Sequence, residues 1–174
     1  MAPAPTEIWL IHNEGKVLPI SREAAYMSSR LSSVIAKHME SNSELTKLQI
    51  EVDSKNHSID GFTLWKIIEW CEAYVKDADG IQTLMRNTDQ EEWTSTPRIK
   101  LTFQLLWYDV EEMFTMLKAA LHLNVGPFIW YACDTIEEEA ASVSLEERYV
   151  IISRLQKIMC KSILDVFDYK SIAY

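Results

Sequence analysis

The strand signals of this chain all lie in its early part, and helical spacing dominates the remainder. Two apolar runs, Glu7-Ile-Trp-Leu-Ile11 and Lys16-Val-Leu-Pro-Ile20, flank a polar turn that contains Gly15, which predicts a β-hairpin. Pro19 cannot donate a hydrogen bond to a neighbouring strand, so the second strand should lie at a sheet edge or end there. The alternating segment Lys47-Leu-Gln-Ile-Glu-Val52 predicts a third, half-buried strand.

Helical patterns fill the space between these strands and the region after them. Residues 21 to about 38 predict two short helices that meet at Ser28-Ser29, and the second should face inward through Leu31, Val34 and Ile35. From Ile59 to Val75 one helical face is apolar. Its members are Leu64, Ile67, Ile68, Cys71, Tyr74 and Val75.

Three further helices are predicted near the end of the chain. Asp109 with Glu112 resembles a capping box, and Pro127 suits the first turn of the next helix. That helix carries a single apolar stripe, which consists of Phe128, Ile129, Ala132, Cys133, Ile136 and Ala140. Ser144 and Glu147 form a second capping box at the start of a long final helix, where Val150, Ile151 and Ile152 are consecutive.

The weakest pattern lies between residues 76 and 97, which are acidic and poor in apolar side chains. We interpret this stretch as an acidic flexible loop, with a short helix around Ile81 to Met85 as the alternative. The expected organisation is therefore one α/β (α+β) core at 1–141 that includes this loop, followed by a C-terminal helical extension at 142–174.

The balance of charge narrows the classes of partner. With 26 acidic and 17 basic residues the formal net charge is −9, which phosphate backbones and anionic lipid surfaces repel. Nucleic acid and membranes are therefore not expected as partners. The N-terminus lacks the pattern of a signal peptide, and the three cysteines lie far apart in apolar helical patterns. We expect buried thiols and an intracellular protein.

Residues with catalytic or metal-binding spacing are sparse. Four glycines cannot supply a dinucleotide fingerprint or a P-loop, and the four histidines form no pair at i, i+4. The glutamate runs at 111–112, 137–139 and 146–147 are interpreted as solvated helix faces, because adjacent residues on a helix do not face each other. We expect no enzyme activity, no cofactor and no metal. An enzyme built on an unrecognised Cys–His pair remains as an alternative.

Three segments in collinear order are similar to the motifs of one known protein family. Ile67-Ile-Glu-Trp-Cys71 is similar to the family's Val-Ile-x-Trp/Tyr-Cys helix. The segment at 114–125 has the family's aromatic residue followed by two alanines, and the segment at 124–136 continues with an apolar pair and a Cys-x-Thr motif. The hairpin with Asn13-Glu-Gly15 stands where the family has Ser-Asp-Gly. These segments resemble the Skp family of adaptors and its relative elongin C, and the resemblance covers about residues 7 to 141.

This resemblance implies a BTB/POZ-type fold: a small three-stranded sheet packed against helices, with additional C-terminal helices. It implies an adaptor of Skp–cullin–F-box ubiquitin ligases that works in the cytoplasm and nucleus and binds a cullin and an F-box protein. The cullin-facing pair corresponds to Leu121 and His122. The F-box-facing residues that it implies, together with neighbouring candidates, are Phe128, Ile129, Trp130, Tyr131, Ala132, Cys133, Ile136 and Ile152.

Two departures from the family keep a second function open. The family's Asn-Tyr pair is replaced by Leu121-His122, and the acidic stretch and Trp-Cys tail at its C-terminus are replaced by the final helix. We expect this helix either to fold back over the surface that an F-box would use or to supply a replacement clamp. The alternative is a structural or regulatory module with the same fold that self-associates or binds proteins outside a ubiquitin ligase.

Overall fold

The computed structural model describes residues 7–12, 14–41, 47–53, 58–76 and 110–171, with side chains on the last helix described to residue 161. This part of the chain is mixed α/β, as predicted, with a three-stranded sheet and six helices. The strands are β1 (Glu7–Ile11), β2 (Val17–Ile20) and β3 (Lys47–Glu51). The helices are α1 (Arg22–Ala25), α2 (Ser29–Ser41), α3 (Gly61–Lys76), α4 (Val110–Leu123), α5 (Gly126–Ser142) and α6 (Leu145–Ser171).

The sheet has the order β2-β1-β3, and it confirms the predicted hairpin. β1 pairs antiparallel with β2, and Pro19 lies opposite Trp9 in this edge strand, where its missing N–H is tolerated. Gly15 adopts a φ of 73° and donates its N–H to the His12 carbonyl at 2.8 Å, which closes the turn. β3 runs parallel to β1, so the connection between them must cross over, and α1 and α2 provide it.

Serine side chains cap the first two helices, and the cap at the start of the second confirms the position predicted at Ser28-Ser29. Ser21 Oγ accepts a hydrogen bond from the Ala24 N–H at 3.2 Å, and Ser28 Oγ accepts one from the Leu31 N–H at 3.0 Å. Leu31 and Ile35 are buried. Val34 is 37% exposed, so its predicted inward position is wrong; α2 is buried through a narrower face than its apolar pattern indicates.

The helices and one face of the sheet enclose a single core. α3 contributes Leu64, Ile67 and Cys71, and α6 contributes Leu155 to the same buried cluster. The final helix therefore packs on the core that the residues before 142 build. Of the predicted loop at 76–97, Lys76 is the last residue of α3, and the remainder lies outside the described residues, as does Asp109 of the predicted capping box.

The hydrogen bonds at the start of α6 confirm the predicted capping box. Ser144 donates its backbone N–H and its hydroxyl to Glu147 Oε2 at 3.2 and 2.7 Å, and Ser144 Oγ accepts from the Glu147 N–H at 3.4 Å. These hydrogen bonds from Ser144 lower the pKa of the Glu147 carboxyl. Because α5 ends at Ser142, the box turns the chain within a few residues, and α6 then packs against α5.

Candidate functional site

An aromatic cluster joins α3 to the start of α5. The indole of Trp70 meets the Phe128 ring edge-on, with centroids 5.1 Å apart and planes at 85°. It also stacks on Tyr74 at 5.0 Å and lies 5.6 Å from Tyr131. Pro127 at the first turn of α5 sets the helix so that the side chain after it enters this cluster. Two of the three segments that resemble the family are thus in direct contact.

The i, i+4 stripe of α5 is largely an inward face. Phe128, Ala132 and Ile136 are all completely buried, and Ala140 continues the same line. The first three belong to the core, and α6 packs against this helix. The prediction that a partner contacts Phe128, Ala132 and Ile136 is therefore wrong for the folded chain, because none of their surface is accessible.

The other α5 candidates divide by exposure. Trp130 is 78% exposed, so its predicted exposure is confirmed, and its role as an aromatic anchor stays a prediction. Tyr131 was expected to be exposed in the same way, but it is half-buried against Trp70 and Phe128, and burial raises the pKa of its phenol to about 12. Ile129 is half-buried beside the core.

Cys133 lies at the seam between α5 and α6. Its Sγ is 3.9 Å from Met159 Sδ, and both residues are half-buried. Burial, with help from the nearby Glu137 carboxylate, raises the pKa of the Cys133 thiol. Ile152 is half-buried as well and lies seven residues before Met159, so the two occupy one side of α6. We call the set Ile129, Trp130, Cys133, Ile152 and Met159 the α5–α6 surface.

The pair expected to face a cullin lies at the corner after α4. Leu121 and His122 are both half-buried. His122 Nε2 lies 3.0 Å from the Val52 carbonyl oxygen and is in contact with the Arg30 guanidinium, which also donates to the His122 carbonyl at 3.4 Å. His122 therefore ties α4 to α2 and to the end of β3, a role that its sequence neighbourhood does not indicate.

Hydrogen bonds hold this corner in one conformation. Asn124 has a φ of 54°, and its carbonyl accepts from the Ser29 N–H at 3.2 Å. The Ser28 hydroxyl donates to the Leu123 carbonyl, so one serine both caps α2 and satisfies the end of α4. We call residues 121–124 the α4 corner, and these hydrogen bonds make it a rigid connection between α2 and α4.

The cysteines do not share one environment. Cys71 is buried, and desolvation raises the pKa of its thiol to about 12. Cys160 is exposed, so the prediction of three buried thiols is wrong for this residue. Among the residues that the structure describes, no three His, Cys, Asp or Glu side chains are grouped as a metal site would require.

Two long-range ion pairs are not predicted by any pattern in the sequence. Lys66 is buried at 3% exposure and pairs with Glu112 at 3.1 Å, so Glu112 does not lie on a fully solvated face as predicted. Glu111 pairs with Arg154 of α6, whose guanidinium also lies 4.2 Å from the Phe114 ring centroid. The members of each pair are far apart in sequence, so no spacing pattern indicates that they pair.

Within the described residues, no helix is long and apolar enough to cross a membrane. Comparison with protein-family models and with curated proteins yields no match for this chain.

Proposed function

We propose that this chain is a non-enzymatic adaptor of a Skp–cullin–F-box-type ubiquitin ligase and has the BTB/POZ-type fold of the Skp family. The order hairpin, two helices, third strand and then helices agrees with that family. The observation that carries the proposal is the contact of Trp70 with Phe128, because it joins two of the three segments that resemble the family. The contact places these two segments side by side in one aromatic cluster, so together they build one part of the fold.

The α5–α6 surface is the F-box-binding site in this proposal. Trp130 is a large, amphipathic side chain with most of its surface in solvent, which is the character of residues that dominate binding energy at protein interfaces. Ile129 and Cys133 lie beside it on α5, and Ile152 and Met159 continue the surface on α6. Two helices side by side offer a groove in which the apolar face of a partner helix can lie.

The α4 corner is the cullin-binding site in this proposal. Leu121 supplies an apolar contact, and the hydrogen bonds of His122 and Asn124 hold the backbone around it. A rigid corner lowers the entropy lost when a partner binds. The replacement of the family's Asn-Tyr pair by Leu121-His122 changes the contact chemistry here, so the cullin it selects need not be the one the family binds.

The test is a pull-down with two purified partners, an F-box domain and a cullin N-terminal domain. Trp130→Asp should weaken F-box binding by about tenfold or more, since it places a charge at the centre of an apolar interface. Cullin binding by the same variant should be unchanged. Phe62→Asp is the matched control, because Phe62 is also an exposed aromatic, at 55%, but lies on α3. Recovery of neither partner by the wild-type chain would refute the adaptor proposal.

A second candidate function is favoured by the first two turns of α6. Leu145, Tyr149 and Val150 are 85%, 75% and 61% exposed, and such a patch is typical of protein contacts. A BTB-fold module that self-associates or binds proteins outside a ligase would use it. Light scattering decides between the candidates: a dimer that Leu145→Lys converts to a monomer, in a chain that recovers no F-box domain, supports the module.

A further inference from the structure

A groove with an apolar floor and an acidic rim lies where α4 begins, α5 ends and α6 begins. Its volume is about 370 Å³. The aliphatic residues that line it, which we call the floor, are Val110, Val143, Val150 and Ile151. Glu139, Glu146 and Glu147 form the rim, and all three are exposed. We call it the acidic groove.

We propose that the acidic groove binds a segment of a partner protein in which aliphatic side chains are flanked by lysine or arginine. The volume lies within the range of roughly 300–1,000 Å³ that is typical of binding pockets, enough for large aliphatic side chains. Four aliphatic residues line it, and Val150 leaves 61% of its surface in solvent. Three carboxylates border the floor, and none of the described residues that line the groove is basic.

The charge of the chain decides between the candidate occupants. A second copy would bring its own surplus of carboxylates to a rim that already carries three, because the net charge of the chain is −9. Nucleic acid is repelled for the same reason. A basic protein segment gains attraction from the rim while its aliphatic side chains fill the floor.

The acidic groove and the α5–α6 surface lie on different sides of α6. Val150 lines the groove, whereas Ile152 is on the same side of α6 as Met159, which contacts Cys133 of α5. Two residues along a helix correspond to a rotation of about 200°. The inference therefore goes beyond the proposed adaptor function, and one chain can hold both partners together.

The experiment measures peptide binding to the full chain by fluorescence anisotropy. The probe is a synthetic amphipathic peptide with leucines at i and i+4 flanked by lysines and arginines, and the matched peptide has glutamates at the basic positions. Only the basic peptide should bind, and rising salt should weaken it. Val150→Lys should weaken binding about tenfold, whereas the neighbouring Tyr149→Lys, 75% exposed and outside the groove lining, should change it less than about twofold.

The rim is tested by charge reversal. Glu139→Lys combined with Glu146→Lys should abolish binding of the basic peptide, and Glu23→Lys combined with Glu51→Lys, which reverses two exposed charges elsewhere, should not. Binding of neither peptide, equal binding of both, or equal losses in Val150→Lys and Tyr149→Lys would overturn the proposal. So would self-association that Val150→Lys removes. F-box recovery by the groove variants should equal that of the wild type, which separates this test from that of the adaptor function.

Discussion

Phe128 and Trp130 are two aromatic residues of α5 whose truncation to alanine should change the stability of the chain by very different amounts. Phe128 is completely buried and contacts the rings of Trp70 and Tyr131, with centroids 5.1 and 5.9 Å apart. Trp130 is 78% exposed. Phe128→Ala should therefore destabilise the chain strongly, and Trp130→Ala should leave its stability nearly unchanged.

The size of the difference depends on the contacts of each side chain. Removal of a buried phenylalanine ring costs about 3–5 kcal/mol, because burial is lost and a cavity remains. The edge-on contact with Trp70 accounts for about 0.5–1.5 kcal/mol of that loss. A substitution at a surface position such as Trp130 changes stability by about 0.5 kcal/mol or less. Since a domain of this kind is stable by about 5–15 kcal/mol, Phe128→Ala should still fold but with little reserve.

The assay is urea unfolding monitored by far-ultraviolet circular dichroism. With an m-value of about 2 kcal/mol per molar urea, Phe128→Ala should lower the midpoint by about 2 M. In thermal unfolding the same variant should lose about 6–20 °C. Phe128→Leu, which keeps part of the volume, should fall between it and the wild type.

Equal losses in the Phe128→Ala and Trp130→Ala variants would refute the assignment of one residue to the core and the other to the surface. A decrease of less than about 1 kcal/mol in the free energy of unfolding of Phe128→Ala would also refute it, since removal of an aromatic ring from a core costs more than that. Either result would return Phe128 to the set of residues available to a partner.

Three further predictions concern other parts of the fold. The Asp60 carboxylate caps α3 by accepting hydrogen bonds from Thr63 and from the Phe62 N–H. Burial raises the pKa of this carboxyl, but the hydrogen bonds lower it by more, so the pKa lies below 3.8. Asp60→Ala should cost about 1 kcal/mol in urea unfolding at pH 7, and the difference from wild type should vanish as the pH falls through that lowered pKa. Iodoacetamide should alkylate the exposed Cys160 long before Cys71, as peptide mass spectrometry would show. Gly61→Ala should cost about 1–3 kcal/mol in the same unfolding assay, because its Cβ would lie 2.7 Å from the buried His12 ring.

Local features of the fold were predictable because their causes are local in sequence. Gly15 and Pro19 determine a turn and an edge strand through their own backbone constraints. The Ser144–Glu147 box acts across three residues, and the helix after it begins where the pattern indicates. The number and order of the described elements result from such signals.

Long-range features were not predictable in this way. The pairing of Lys66 with Glu112 spans 46 positions, and the contact of His122 with Val52 spans 70. No spacing rule relates such residues before the chain is folded. Cys160 shows the same limit, because an apolar neighbourhood in sequence did not place it on a covered face of α6.

The final helix explains why one stripe of apolar residues could be assigned to either core or partner. An i, i+4 line such as that of α5 has the same spacing whether another helix of the chain or a helix of a partner covers it. Here α6 supplies the cover, with Leu155 in the core. The consecutive residues Val150, Ile151 and Ile152 point in three directions. Of the three, only Ile151 packs against the core. Val150 lines the acidic groove, and Ile152 belongs to the α5–α6 surface. A helix that was interpreted as an extension therefore closes the core and borders both proposed binding sites.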